Sequence, residues 1–257
     1  MISSLAHIDP KAQLGAGVTV EPFAAIYGDV VIGDGTWIGS GAVIYDGARI
    51  GRNCRIFNGA SISAIPQDLK FSGEETTLEI GDNTTVREFA TLNRGTSARG
   101  MTTIGKNCLL MAYVHVAHDC SLGDNVIMVA SSGIAGEVEL GNWVTLGGGT
   151  IVHQFVRIGN HAFLGGGSKV RMDVPPFIKA DRDPLAYMGI NSVGLERRGF
   201  TKEKMRELHE IYRAYFNMGM NGSKALEYID VNFPSTPERD YILEFIRKSE
   251  RGVIRGR

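Results

Sequence analysis

Every sixth position of this 257-residue chain, counted from Ile8, carries an apolar side chain over most of its length. The series runs Ile8, Leu14, Val20, Ile26, Ile32, Ile38, Ile44, Ile50, Ile56 and Ile62. It returns in the same frame at Ile80, Val86 and Leu92, and again from Ile104 through Val116, Met128, Ile134 and Val152 to Val170. Four residues after each such position stands a smaller one: Val18, Ala24, Val30, Thr36 and Ala42 early in the chain, Val114, Cys120, Val126 and Ser132 later. Segments such as "GDGT", "GKNC", "GDNV" and "GNWV" fill the intervals. Glycine and asparagine tolerate the backbone angles of a sharp corner. One hexapeptide is therefore a short strand plus a corner, with the large apolar residue inside. Three hexapeptides close a triangular coil, and coils stack backbone to backbone about 4.8 Å apart. No single repeat could be stable alone, because its apolar side chain is covered only by its neighbours.

Composition supports repeats over other glycine-rich designs. There are 33 glycines and only 8 prolines, without the every-third spacing of collagen. No apolar run is long enough to cross a bilayer as a helix, so no integral membrane segment is expected. The start, "MISSLAHIDPKAQ", lacks the basic and apolar regions of a secretory signal, and a cytoplasmic protein is expected. A net charge of −1 gives no global basic signature, so nucleic acid is not an expected partner. Three cysteines, an odd number, argue against a disulfide framework. Cys54, Cys108 and Cys120 all fall on the small inward position, which reads as packing rather than reactivity.

Residues 63–79 and 93–103 keep the frame but lose the pattern, and read as loops projecting from a prism face. Hexapeptides stop after "VPPF" at 174–177. The expected division is a β-helical domain at 1–190 and a helical domain at 191–257. A connector spans 178–200. Helices follow from Thr201, from Ser223, and from Thr236 with Pro237 at the first helical position. From residue 193 onward there are 13 Lys and Arg against 10 Asp and Glu, while the remainder has 14 against 18. A mildly basic helical end beside an acidic prism suits an acidic protein partner, and a solvated helix face explains the same counts.

The frame also places the histidines. In "HVAHDC", Val116 points inward and Cys120 is the next small inward residue. His115, His118 and Asp119 are therefore expected to face outward, the last two at a corner. An imidazole beside a carboxylate is a candidate general base. Metal ligation and an ordinary surface pair remain open on spacing alone. His153 should line an outer face and His161 a corner, while His7 and His209 read as surface residues.

The repeat resembles the left-handed parallel β-helix of the hexapeptide-repeat acyltransferases. The segments "IPQDLKF", "LNRGT", "HVAHDC", "VHQF", "DVPPF", "GIN" and "GLERRGF" occur in the order found in the UDP-N-acetylglucosamine O-acyltransferase family of lipid A biosynthesis. The resemblance implies a mainly β fold, a left-handed parallel β-helix followed by a small C-terminal α-helical domain. It implies transfer of an (R)-3-hydroxyacyl group from acyl carrier protein to the glucosamine 3-position of UDP-N-acetylglucosamine. It further implies a homotrimer with active sites between neighbouring prisms, no metal, and no cofactor beyond the phosphopantetheine on the carrier protein. His118 matches the family's general base, Asp119 its orienting carboxylate, and Gly136 the backbone N–H donor to the oxyanion. Gln67, Asp68 and Lys70 match residues holding sugar and acyl chain. His115, His153 and Gln154 match positions lining the cleft. Gly166 matches the position whose size limits acyl-chain depth. Asn191, Arg197 and Arg198 match nucleotide or carrier-protein contacts, where a guanidinium suits phosphate.

The match has departures. Asn93, Glu137 and Pro184 stand where the family often has histidine, and Val193 where it often has glutamate. These bear on acyl length and on whether the acceptor presents a 3-hydroxyl or a 3-amine. An acid at Glu137 would suit a more cationic acceptor. Other readings are the later N-acyltransferase of the same pathway, whose extra N-terminal domain has no room before Ile8, a non-catalytic prism, and a trimeric zinc enzyme of the γ-carbonic anhydrase type. In the last, His115, His118 and His153 would be the ligands.

Overall fold

The computed structural model describes residues 1–256. Its strands, mostly two residues long, form three sheets of nine, eight and ten strands, visited in strict rotation. The first sheet runs from His7–Ile8 to Lys169–Val170, and the second from Gln13–Leu14 to Arg157–Ile158. The third runs from Thr19–Val20 to Phe163–Leu164 and continues into Ile178–Asp181. Neighbouring strands are parallel, as in His115↔Gly133 and Val116↔Ile134. The exception is the end of the third sheet, where Ile178–Asp181 turns back antiparallel onto Ala186–Ile190. A parallel β-helix of triangular section results.

The inward frame is borne out residue by residue. Ile26, Ile44, Ile62, Leu92, Val116 and Val152 are fully buried on the first sheet, and Ile134 nearly so. Of the cysteines, Cys120 has its thiol pushed up to about 12 by burial, which leaves negligible thiolate. Ile8 and Leu14 are only partly buried, because no coil covers them from below.

Corners have their own chemistry. At the corner between second and third sheets, Asn53, Asn83, Asn107 and Asn125 adopt positive φ of 52–59°. Backbone N–H groups there lack a strand partner, and side chains of the next coil accept from them: Asp124 from Lys106, Asn142 from Asp124, and Asn160 from Asn142. The corner polar residues thus complete the hydrogen bonding that the short strands leave open.

Four expectations need correction. The first projecting loop covers only 65–76, since Ser61–Ala64 and Thr77–Ile80 are strands. The second covers 94–100, between Thr91–Asn93 and Met101–Ile104. Flanking strands capture those residues because their alternate side chains still reach the core. The 178–200 connector is largely regular: a hairpin, then helix α1 (Ser192–Arg197). Helix α2 (Lys202–Asn217) begins at the Thr201 cap as expected, and α4 (Pro237–Arg247) at Thr236. Helix α3 (Gly222–Asn232) is capped not by Ser223 but by Asn221, whose side chain accepts from the Lys224 N–H. Tyr212 of α2 is fully buried and donates to the Pro176 carbonyl at 2.6 Å, locking the helices onto the end of the prism. No helix among the described residues is long and apolar enough to cross a membrane.

Two neighbours on one sheet test the core. Ile134 is 1% exposed and Ile151 63%. Ile134→Ala should cost about 2–5 kcal/mol, and Ile151→Ala less than about 0.5 kcal/mol, in equilibrium denaturation. Equal costs would contradict the inward assignment.

Candidate active site

His118 and Asp119 occupy the corner between first and second sheets, and the imidazole Nδ1 lies 2.8 Å from the Asp119 carboxylate. The outward position expected from the frame holds only in part, because Asp119 is completely buried. The second projecting loop folds over it. Thr96 donates to the carboxylate through its N–H at 3.0 Å and its hydroxyl at 2.6 Å, and the Arg99 N–H adds a third bond at 3.2 Å. Thr102 accepts from the Asp119 N–H. Burial alone would raise this carboxyl, but the Thr96 bonds and the His118 ring outweigh it and hold it below the usual carboxylate range. Asp119 is thus a fixed anion. With Nδ1 directed at it, His118 turns Nε2 toward the first loop.

Gly136 lies one coil further along. A Cβ there would stand 2.6 Å from Cε1 and 2.7 Å from Nε2 of His118, so only glycine lets the ring rest against this backbone. The Gly136 N–H donates to no group among the described residues. On the other side, Asp68 of the first loop brings a carboxylate oxygen to 3.9 Å from Nε2. An imidazole, the buried carboxylate it is bonded to, an unused backbone donor and an acidic loop residue therefore converge at one corner.

The remaining predicted residues divide. His115 lies on the first sheet with Nδ1 2.8 Å from the Thr91 hydroxyl, and burial lowers its pKa. His153 is exposed, with Nδ1 near the Gln154 carbonyl and Arg251. Gln67 and Lys70 are exposed on the first loop. Gly166 sits elsewhere, at the corner between third and first sheets, beside the Gly148 carbonyl. Asn191, Arg197 and Arg198 line a cavity of about 1010 Å³ against the third sheet, with none of the residues around His118. Asn191 is already engaged: its side chain caps α1 by accepting from Gly194 and donates to the His161 carbonyl. One chain does not bring these groups together.

That cavity contains two aromatic rings to which sequence reasoning assigned no role, Trp143 and the corner residue His161. Trp143 and His161 replace asparagine at the corner position, keep positive φ of 63° and 61°, and stack nearly parallel. Phe177 continues the stack, and the Arg198 guanidinium lies 5.0 Å over Trp143. Lys179, Arg197 and Arg198 line the same cavity, and no carboxylate among the described residues does. The walls suit a flat ring joined to an anion. The signal available beforehand was the shared phase of Trp143 and His161.

Among the described residues, no three His, Cys, Asp or Glu side chains are placed to hold a metal ion. The Nδ1 atoms of His115, His118 and His153 each turn to a different partner.

Comparison with known proteins covers the whole chain. The profile described as "Udp N-acetylglucosamine O-acyltransferase; Domain 2" matches residues 173–254, and the bacterial transferase hexapeptide profile matches 29–64 and 101–136. An acyl-[acyl-carrier-protein]–UDP-N-acetylglucosamine O-acyltransferase from Chlorobium phaeobacteroides is 55% identical over 98% of this chain and 96% of its own. One from Thermodesulfovibrio yellowstonii is 40% identical over 99% of both. The crystal structure of a UDP-N-acetylglucosamine acyltransferase from Bacteroides fragilis superposes with a TM-score of 0.97 at 48% identity, covering 99% of this chain and 100% of that one.

The ring stack carries a pH signature. Burial, with the Arg198 charge adding to it, lowers His161 from 6.5 to about 4. Between those values the unfolded chain binds a proton that the native protein does not, so stability should fall as pH drops through that window. His161→Phe keeps a ring in the stack and should remove this part of the fall. Denaturation midpoints across the window decide, and parallel profiles for the two proteins would contradict the assignment.

Proposed function

The chain belongs to the acyl-[acyl-carrier-protein]–UDP-N-acetylglucosamine O-acyltransferase family, and on that premise we propose how its own residues carry out the transfer. It is an acyltransferase built on a left-handed parallel β-helix with a small C-terminal helical region. In our reading it moves an (R)-3-hydroxyacyl group from acyl carrier protein to the 3-hydroxyl of UDP-N-acetylglucosamine, the opening step of lipid A biosynthesis, in the cytoplasm.

His118 Nε2 takes the proton of the sugar hydroxyl as that oxygen attacks the thioester carbonyl. Asp119 stays ionised and stabilises the imidazolium. The carbonyl oxygen becomes an oxyanion facing the Gly136 N–H, a donor that needs no rearrangement to serve. When the tetrahedral intermediate collapses, the carbon–sulfur bond breaks, and the imidazolium returns its proton to the departing thiolate of the carrier's phosphopantetheine. Gln67, Asp68 and Lys70 hold the sugar, and Gly166 leaves depth for the acyl chain. The observation that carries this reading is the buried Thr96–Asp119–His118 chain of hydrogen bonds ending against Gly136.

The nucleotide is assigned to the cavity of Trp143, Arg197 and Arg198. Its separation from His118 within one chain supports a homotrimer in which one copy supplies the base and the next the nucleotide pocket. The basic helical end is assigned to acyl carrier protein. The Asp68 carboxylate beside His118 also gives a 3-amino acceptor a physical basis, as a second reading.

His118→Ala should lower turnover by about 10²–10⁴ while leaving the trimer intact. Mass spectrometry of product from acyl carrier protein with UDP-N-acetylglucosamine, or with its 3-amino analogue, measures both this loss and the acceptor preference. Near wild-type turnover would remove His118 as the base.

A further inference from the structure

We propose that Asn93 is a positioning residue for the transfer, clamping the root of the 65–76 loop so that Asp68 stands over His118, at a cost to stability. This rests on the reading of His118 and Asp68 given above.

Asn93 ends the strand Thr91–Asn93, which runs between Ser61–Ala64 and His115–Val116. It is 2% exposed. Its Nδ2 donates to the Ile65 carbonyl at 3.0 Å, with a longer contact of 3.4 Å to that of Ala64, where the chain leaves the prism to form the loop. Three residues beyond Ile65 comes Asp68, whose carboxylate accepts from the Lys70 N–H and lies 3.9 Å from His118 Nε2. The segment that begins at Asn93 holds the rest of the loop too. The Gly95 carbonyl accepts from the Thr76 hydroxyl, the Ser97 N–H donates to Glu74, and the Arg94 guanidinium lies over Phe71. The same segment fixes Asp119 through Thr96. Residues 93–99 therefore tie the loop that carries Asp68 to the carboxylate that orients His118.

The cost lies in the other half of the Asn93 amide. Its Oδ1 is buried and has no hydrogen-bond partner among the described residues. A buried acceptor left unpaired loses its solvation without return, whereas an apolar group of the same shape would not. The fold does not require the amide. The Ala64 carbonyl also accepts from the Arg94 N–H, and Ile65 stands in solvent. A polar group kept at a loss in stability beside a reaction site is the signature of a residue retained for activity.

Asn93→Leu, close in shape, separates this from a structural role. The thermal midpoint should stay level or rise. Turnover should fall by up to about 10²-fold through misplacement alone, chiefly in kcat. In an Asp68→Asn background the same substitution should add less than about twofold, since both changes disturb one arrangement. Exchange of the Lys70 and Phe71 amides, both bonded to Asp68, should quicken about five- to tenfold, with the strand His115–Val116 unaffected. A lowered midpoint with undiminished turnover, losses that multiply in the double variant, or unchanged exchange would each overturn the proposal. If the wild-type protein transferred no acyl group, the functional reading would fail, and the exchange measurement would still decide whether Asn93 holds the loop.

Discussion

Stacking of one buried apolar side chain per strand, coil on coil, is the constraint on which the rest of this molecule depends. Each two-residue strand contributes too little to persist alone. The Ile, Leu and Val columns and the parallel backbone bonds between coils make the strands mutually dependent. Rigidity follows from that packing. Corner residues are then delivered at a fixed rise of about 4.8 Å per coil. The His118 corner uses this spacing, since the His118 ring and the Gly136 backbone are consecutive positions in one corner column, and only the absence of a Cβ lets them meet.

The loops turn a repeating corner into a particular one. Other corners satisfy their backbone groups with Asp and Asn of the next coil. At residue 119 the carboxylate faces its own histidine and is sealed beneath residues 94–100. Burial would make that carboxyl hard to ionise, and the two Thr96 bonds together with the His118 ring reverse the balance. The prism supplies position, while the loops supply the charge state.

What the sequence made legible follows the same division. Inward residues, the packed cysteines and the corner placement of His118 all follow from the six-residue period. The burial of Asp119 does not, because its bond to Thr96 spans 23 residues and involves a loop outside the period. Asn93 could be seen to depart from the family pattern, but its grip on Ile65 depends on a local register shift between strands. The ring stack at Trp143 and His161 was within reach, as two aromatic rings one coil apart at a corner otherwise held by asparagine. The family resemblance named Arg197, Arg198 and His118 together, yet a single chain keeps them on different sides of the prism.

That separation makes a shared site the central claim, and mixed oligomers test it most directly. On the proposed reading, chains carrying His118→Ala retain the nucleotide cavity, and chains carrying Arg197→Ala with Arg198→Ala retain the base. Each protein alone should be nearly inactive. Unfolded together and refolded in equal amounts, about a quarter of the interfaces in random trimers join an intact base to an intact cavity, and transfer should return toward that fraction of the wild-type rate. Activity no higher than the sum of the two variants would contradict a site divided between copies.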